Sequence, residues 1–175
     1  MYQFKKKIVL ITGGSRGIGK AIAESFALHG AHVVITYKKE KDKAEELIAS
    51  LPGKKHICIQ SDVTIDGEAK AVITKVICKF GALDIVINNA GMYINHHIAK
   101  IAFKEWQAAW STTLETNLIG PANICYYAAK YMMSVKRGKI INISSRGANR
   151  GEPNAPAYGA SKAGKTTLHH QLRTR

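Results

Sequence analysis

The chain has 175 residues, of which 46% are hydrophobic and 22% charged, and its formal net charge is +14. Such a composition is typical of a folded globular protein, and the length suits a single domain spanning residues 1–175. The sequence contains no run of 18 apolar residues, so it predicts no helix that crosses a membrane.

The basic charge allows three interpretations. Lysines are spread along the chain, with short clusters only at 5–7 and 38–43, which favours a generally lysine-rich surface. The second interpretation is a basic rim that attracts a polyanionic cofactor or an acidic carrier protein. The third and weakest is a nucleic-acid-binding protein, because a basic helix, a zinc pattern and an aromatic-rich RNA-binding strand are all lacking.

The predicted elements alternate between strands and helices along the chain, which indicates a parallel sheet with helices on both faces. Pro121 suits the first turn of a new helix, so a kink is predicted near Asn117. The predicted strands are 7–12, 32–37, 56–61, 83–88 and 139–144. The predicted helices are 17–29, 42–50, 66–80, 103–114, 120–136 and one that begins near Tyr158.

A glycine-rich turn follows the first apolar run. A strand that enters such a turn and then a helix is the context of a dinucleotide site, where backbone N–H groups approach a pyrophosphate. The spacing, Gly-x-x-x-Gly-x-Gly, differs from the general fingerprint, so an ordinary glycine turn is the alternative. The candidate cofactor residues of this turn are Gly13, Ser15, Arg16, Gly17, Ile18 and Gly19.

Tyr158 and Lys162 are four residues apart, and residues at that spacing share one face of a helix. An ammonium beside a phenol favours the ionised phenol, which suits an acid–base catalyst. Ser145 lies 13 positions before Tyr158, after a predicted strand.

Five motifs follow one another along the chain: Thr12 to Gly19, Asn88-Asn89-Ala90-Gly91, Asn117, Ser145, and Tyr158 with Lys162. Taken together and in order, they resemble the short-chain dehydrogenase/reductases over about residues 5–165. The resemblance implies that Tyr158 is the acid/base, that Lys162 stabilises the phenolate and holds the nicotinamide ribose, and that Ser145 binds the substrate oxygen. It also implies that Asn117 anchors a water in a proton path. The alternatives are that Ser145 caps a loop, that Asn117 bonds a local carbonyl and that Tyr158 is a packed helix residue. Ser144 is the competing serine.

Charge near the second strand bears on the choice of cofactor. NAD sites place an acidic side chain at the end of that strand, whereas here Tyr37 and Lys38 are followed by no carboxylate until Glu40. With Arg16 nearby, NADP(H) is predicted over NAD(H), because a 2′-phosphate gains charge-assisted hydrogen bonds. The alternative is that Arg16 is a solvated loop charge. The resemblance further implies an adenosine site built from Asp62, Val63, Asn88, Ala90 and Gly91.

Several features are predicted to have no catalytic role. The cysteines are scattered and the N-terminus lacks a secretory signal, so reduced thiols in a cytoplasmic protein are expected. Adjacent histidine side chains diverge, so the pairs at 96–97 and 169–170 predict no metal site. Trp106 and Trp110 are predicted to pack on a helix face, whereas Tyr93, His96 and the loop 146–154 are expected to border the substrate pocket. The cysteines are Cys58, Cys78 and Cys125.

The resemblance ends before the family's usual length of about 250 residues, so a truncated or frameshifted product is expected. The predicted fold is a Rossmann-type, doubly wound α/β sheet that lacks its last strands and leaves an open edge. We also expect self-association, because helix 120–136 and the Tyr158 helix would carry uncovered apolar faces. The apolar residues on the first of these helices are Ile124, Tyr127, Ala128, Tyr131 and Met132.

The predicted function is hydride transfer between NADP(H) and a small carbonyl or alcohol, including a carrier-bound 3-oxoacyl group. The competing hypothesis is a catalytically impaired nucleotide-binding remnant of the same fold. Because the part that would fix the nicotinamide and enclose the substrate is missing, the 175-residue chain itself is expected to bind the adenylate portion of NADP and to turn over slowly or not at all.

Overall fold

In the computed structural model, which describes residues 4–65 and 67–171, five parallel strands form one sheet in the order β3-β2-β1-β4-β5. The strands are β1 (Ile8–Ile11), β2 (His32–Tyr37), β3 (Ile57–Gln60), β4 (Ile85–Asn88) and β5 (Lys139–Asn142). Each lies within a predicted strand, and the doubly wound α/β class is confirmed.

The helices also fall where the sequence predicts them. The predicted start of the third helix, Asp66, lies outside the described residues. A 3-10 turn (Ile98–Lys100) and the short α6 were not predicted. The helices are α1 (Gly17–Leu28), α2 (Lys41–Ser50), α3 (Glu68–Phe80), α4 (Phe103–Leu114), α5 (Gly120–Ser134), α6 (Gly147–Arg150) and α7 (Pro156–Gln171).

Side chains of β1 divide between two cores because successive residues of a strand point to opposite faces. Leu10 joins the core that contains residues of α3 and α5, and Ile11 joins the core that contains residues of α1 and α2. All four residues of β1 are buried, as expected for a central strand that is covered on both faces. The sheet is therefore sandwiched between two helical layers, with its glycine-rich turn at the carboxyl end of β1.

The predicted kink near Asn117 is a π-helical turn, Glu115–Ile119, between α4 and α5. Gly120 donates its N–H to the carbonyl of Glu115, five residues earlier. Pro121 follows at the start of α5 and has no N–H to donate to Asn117. The extra residue in this turn places Asn117 in the buried interior, and such turns are frequent at functional sites.

Part of the apolar face of α5 covers the protein's own core, while self-association of the chain stays a prediction. Ile124 and Ala128 are completely buried, and Met132 is buried beside them. The large apolar side chains that α5 does expose are Tyr126 and Met133.

Strand β5 lies at one edge of the sheet and, within the part of the chain that the structure describes, pairs only with β4. Ile141 is 41% exposed there, which agrees with the predicted open edge. Among the described residues, no helix combines the length and the apolar character needed to cross a membrane.

Candidate functional site

The glycine-rich turn leaves β1 and packs closely against the loop that follows β4. Gly13 has a φ of +63°, and a Cβ there would lie 3.0 Å from the Cα of Ala90. A side chain at Gly19 would meet the Asn89 amide nitrogen and the Gly13 carbonyl. Glycine is therefore required at position 13 by the backbone conformation and at position 19 by the lack of space for a side chain.

Hydrogen bonds from two polar side chains fix this turn. The Asn89 amide donates to the carbonyls of Thr12 and Gly13, both at 2.9 Å. The Thr12 hydroxyl accepts from the N–H groups of Asn89 and Ala90 at 3.1 and 3.0 Å. These bonds fix the start of the turn against the loop that follows β4.

The N-terminus of α1 follows the turn, and its capping residue, Arg16, makes no side-chain cap bond. The first N–H groups of a helix have no intrahelical partner, and the helix dipole makes this end attractive to anions. The exposed Arg16 guanidinium adds a full positive charge at the same place. The loop is thus built to receive a phosphate.

A cleft of about 560 Å³ runs from this turn along the carboxyl ends of the strands. It brings together most of the predicted site residues, although they are up to about 150 residues apart in the chain. Those that line it are Gly13, Ser15, Arg16, Gly17, Ile18, Gly19, Tyr37, Lys38, Asp62, Val63, Ala90, Gly91, Tyr158 and Lys162. The predicted residues outside its lining are Asn88, Asn117 and Ser145.

The side chain of Asn88 turns away from the cleft, contrary to the prediction that it lines the adenosine site. It is completely buried and donates to Cys125 Sγ at 3.1 Å and to Asn142 Oδ1 at 2.9 Å. Asn88 is the last residue of β4, so its direction is set by the alternation of the strand. Asn89 follows in the loop and lines the cleft instead.

At the end of β2, Lys38 forms an ion pair with Asp62 at 2.5 Å. Burial opposes ionisation of Asp62, but Lys38 and Thr64 hold the pKa of this carboxyl below its usual value. Thr64 donates to Asp62 Oδ1 through its hydroxyl at 2.8 Å and through its N–H at 3.1 Å. Two residues predicted to contact different parts of a cofactor therefore contact each other.

Positive charge dominates this end of the cleft. Arg16, Lys38 and Lys39 line it together with one further carboxylate, Glu40. That carboxylate is already paired with Lys43 at 2.6 Å. An anionic group placed here meets more unpaired positive than negative charge.

Tyr158 and Lys162 lie on α7 at the opposite end of the cleft. The Lys162 Nζ atom is 5.5 Å from the centre of the Tyr158 ring and donates to the carbonyl of Ile143 at 3.0 Å. Burial lowers the pKa of Lys162. Tyr93, which was expected to border the substrate pocket, packs edge-on against Tyr158 with ring centres 5.1 Å apart. The side chains of Tyr158 and Lys162 thus share one face of α7, as their spacing in the sequence predicts.

Asn117 holds three segments together. Its Oδ1 accepts from the Met92 N–H at 2.8 Å, and its Nδ2 donates to the Met92 carbonyl at 2.9 Å and to Ser161 Oγ at 3.1 Å. The side chain thus bonds a carbonyl 25 residues earlier in the chain, and the water-anchoring role of Asn117 stays a prediction. The π-helical turn, the loop after β4 and α7 are joined at this residue.

The two serines after β5 make different hydrogen bonds. The Ser144 hydroxyl donates to the Lys162 carbonyl at 3.2 Å and bonds Thr166 Oγ1 at 2.8 Å. Ser145 Oγ accepts from the N–H of Gly147 at 3.2 Å, just at the start of α6. Ser144 lines the cleft and Ser145 lies beyond its lining.

His96 is buried and supports α7, whereas the sequence suggested that it borders the substrate pocket. Its Nε2 accepts from the N–H of Ala157 at 3.1 Å, and its Nδ1 lies 2.8 Å from the Ile94 carbonyl. The neutral tautomer with hydrogen on Nδ1 satisfies both bonds. Since Ala157 precedes Tyr158, His96 anchors the end of α7 that carries the phenol. A histidine in a loop offers no sequence signal for this role.

Replacing His96 by leucine is expected to lower the free energy of unfolding by about 1–3 kcal/mol, because the buried N–H of Ala157 loses its acceptor. Urea denaturation measures the effect. His97→Leu is the matched control, since the bond of His97 to the Ala99 N–H lies at the surface. Equal losses in the two variants would contradict the anchoring role of His96.

The loop 146–154 contributes to a separate, shallower concavity of about 430 Å³ between α6 and α7. Within the described residues, no three His, Cys, Asp or Glu side chains are grouped so that they hold a metal ion.

Comparison with known proteins agrees with this geometry. The chain is 36% identical over 160 residues to the 3-oxoacyl-[acyl-carrier-protein] reductase FabG of Staphylococcus aureus, which covers 90% of this chain and 63% of that relative. It is also 36% identical over 161 residues to the FabG of Chlamydia muridarum, again covering 63% of the relative. The chain thus spans less than two thirds of the length of these relatives.

Solved structures show the same fold. A short chain dehydrogenase from Bacillus anthracis superimposes with a TM-score of 0.86 at 31% identity, over 95% of this chain and 68% of that one. A proposed short-chain alcohol dehydrogenase from Sinorhizobium meliloti gives a TM-score of 0.89 at 31% identity, over 97% and 66%. The family model for short chain dehydrogenases matches residues 7–175. The chain belongs to the short-chain dehydrogenase family, a family of oxidoreductases.

Proposed function

We propose that this protein transfers hydride between NADP(H) and a carbonyl or alcohol substrate, with Tyr158 as the acid/base. The observation that carries the proposal is the single cleft that joins the glycine-rich turn to Tyr158 and Lys162. A dinucleotide needs an anion site and a reaction site within one elongated cavity, and this cleft has a candidate for each at its two ends.

The residues present fit such a cofactor. The glycine-rich turn approaches the cleft with backbone alone, and the N-terminus of α1 offers N–H groups to a pyrophosphate. Val63 and Asp62 would flank the adenine, and Ala90 and Gly91 would line its ribose, since all four residues line the cleft. When bound, the nicotinamide supplies or accepts the hydride.

The protein's own contribution is to handle the proton. The Tyr158 hydroxyl is proposed to protonate the substrate oxygen during reduction and to take the proton back during oxidation. The Lys162 ammonium beside the ring stabilises the phenolate that remains. Ile143 fixes the direction of Lys162 by accepting one of its hydrogens.

Ser145 is proposed to donate to the substrate oxygen. In the described part of the chain its Oγ accepts from Gly147, and its own hydrogen has no acceptor. The Ser144 hydroxyl, by contrast, is already engaged with Lys162 and Thr166. Asn117 is proposed to have a positioning role: its hydrogen bonds hold the loop after β4 against α7.

Preference for NADP(H) over NAD(H) is proposed from the basic end of the cleft. Arg16→Ala is expected to weaken NADPH binding by about 1.5–3 kcal/mol, through loss of one charge-assisted contact to the 2′-phosphate, and to weaken NADH binding less. Fluorescence titration of both cofactors measures this. Lys20→Ala is the control, because Lys20 pairs with Glu24 outside the cleft. Equal affinity of the unmodified protein for NADPH and NADH would contradict the proposal.

The proposed substrate class is the 3-oxoacyl group, free as a small thioester or attached to an acidic carrier, by analogy with the relatives' names. The proposed compartment is the cytoplasm, and the proposed assembly is a homo-oligomer.

NADPH oxidation, followed by absorbance with a panel of carbonyl compounds that includes a 3-oxoacyl thioester, tests the function. Tight NADPH binding without turnover on any of them would favour a nucleotide-binding protein that lacks catalysis.

A further inference from the structure

Lys165 is the largest completely buried side chain in the described part of the chain. It follows Lys162 by three residues on α7, and its Nζ donates to the carbonyl of Asn88 at 2.8 Å. None of the ion pairs found among residues 4–65 and 67–171 includes Lys165. An ammonium buried without a carboxylate is costly, so this position demands a physical reason.

The amine of Lys165 lies directly behind the wall of the cleft. Asn88 ends β4, and the residues that follow it, Asn89 to Gly91, line the cleft. Lys162 makes the corresponding bond from the same helix to Ile143, after β5. Two lysines therefore fasten α7 to the carboxyl ends of two neighbouring strands. Asn88 also accepts from the Ile143 N–H at 3.1 Å, so its carbonyl keeps a partner without Lys165.

Few groups near Lys165 affect the pKa of its amine. Burial, with a further contribution from Lys162, lowers the pKa of Lys165 to about 7, and Cys125 on α5 opposes the shift. The neighbours on β4 and β5, Asn88 and Asn142, are uncharged. The charged side chains of the other elements packed on α7 are exposed, among them Glu105, Glu115 and Arg150. Both forms of the amine are therefore populated around neutral pH.

We propose that Lys165 is a positioning residue for α7: its buried amine ties the helix that carries Tyr158 and Lys162 to the end of β4, behind the wall of the cleft. The consequence for cofactor binding and catalysis rests on the proposed function, whereas the tie itself does not.

NMR of lysine Cε in the ¹³C-labelled protein, titrated from pH 5 to 11, tests the proposal directly. Lys165→Met removes both the charge and the donor, and Lys165→Gln keeps a neutral donor for Asn88. A resonance with a midpoint within about one unit of pH 7 is expected in the unmodified protein and in neither variant. A Lys165 midpoint near that of surface lysines would overturn the proposal, because it would mean that the amine lies in water and not against the carbonyl of Asn88.

NADPH affinity at pH 8 provides a second readout. Lys165→Gln is expected to bind within about twofold of the unmodified protein, and Lys165→Met at least about threefold more weakly, because only the former keeps the tie to Asn88. An equal loss of NADPH affinity in the two variants would contradict the proposal that the hydrogen bond from residue 165 to the Asn88 carbonyl positions α7. If the unmodified protein does not bind NADPH, the proposed function fails while the NMR titration still decides the role of Lys165.

Discussion

Tyr158→Phe is expected to reduce kcat by about 10²–10⁴-fold while NADPH affinity stays within about twofold. The phenylalanine ring keeps the packing against Tyr93, but it has no hydroxyl to exchange a proton with the substrate oxygen. Because the phenol is proposed to act in the chemical step, kcat and kcat/KM should fall together. Single-turnover NADPH oxidation, followed over hours, measures the ratio even where turnover is slow.

Tyr126→Phe is the matched control for this measurement. Tyr126 is 55% exposed on α5 and lies outside the cleft, so removal of its hydroxyl is expected to leave the rate unchanged. A Tyr158→Phe protein as active as the unmodified one would remove the phenol from the mechanism. Rate losses of similar size in the two variants would indicate damage to the fold.

The sheet was predictable because its strands are nearly continuous apolar runs, each followed by a turn or a loop. Buried on both faces, β1 and β4 admit little but aliphatic residues. The proximity of Tyr158 and Lys162 was also predictable. The spacing of Tyr158 and Lys162 is a helical repeat, and the family resemblance implies that Lys162 holds the same cofactor as the glycine-rich turn.

Residues whose roles depend on distant partners were not predictable in the same way. The sequence placed Asn88 in the cleft, but the strand alternation directs its side chain to Cys125, which only the folded chain reveals. His96 supports a residue 61 positions away, for which the loop around it gives no hint. The apolar face of α5 was correctly recognised as apolar, but periodicity does not say whether such a face meets the sheet or a second molecule.

Lys165 is the clearest example of a residue whose role the sequence does not predict. Its polar neighbours suggest a solvent-exposed turn of the helix, since lysine is almost never fully buried without a partner. In the structure, α7 instead buries Ser161, Lys162 and Lys165 and satisfies them through hydrogen bonds. The helix is therefore attached to the sheet by polar contacts at positions where apolar contacts would be expected.

The burial of Lys165 makes the stability of the protein depend on pH in a predictable direction. In the folded state the pKa of Lys165 is lowered to about 7, whereas in the unfolded chain it is about 10.4. Between these values the unfolded chain binds more protons than the folded one, so stability rises with pH across this window. Below pH 7 both states carry the charge, and the full cost of burying it remains.

Relative to Lys165→Met, the unmodified protein is therefore expected to gain about 3–4 kcal/mol of unfolding free energy between pH 7 and pH 10, since each unit of pKa difference corresponds to about 1.4 kcal/mol. Comparison with the variant cancels the titration of tyrosines and other lysines. Urea denaturation at several pH values measures the difference, and Lys70→Met, at an exposed position of α3, should show none. A constant difference between unmodified protein and Lys165→Met from pH 7 to pH 10 would mean that Lys165 keeps an ordinary pKa, and the buried amine would then have to be charged throughout.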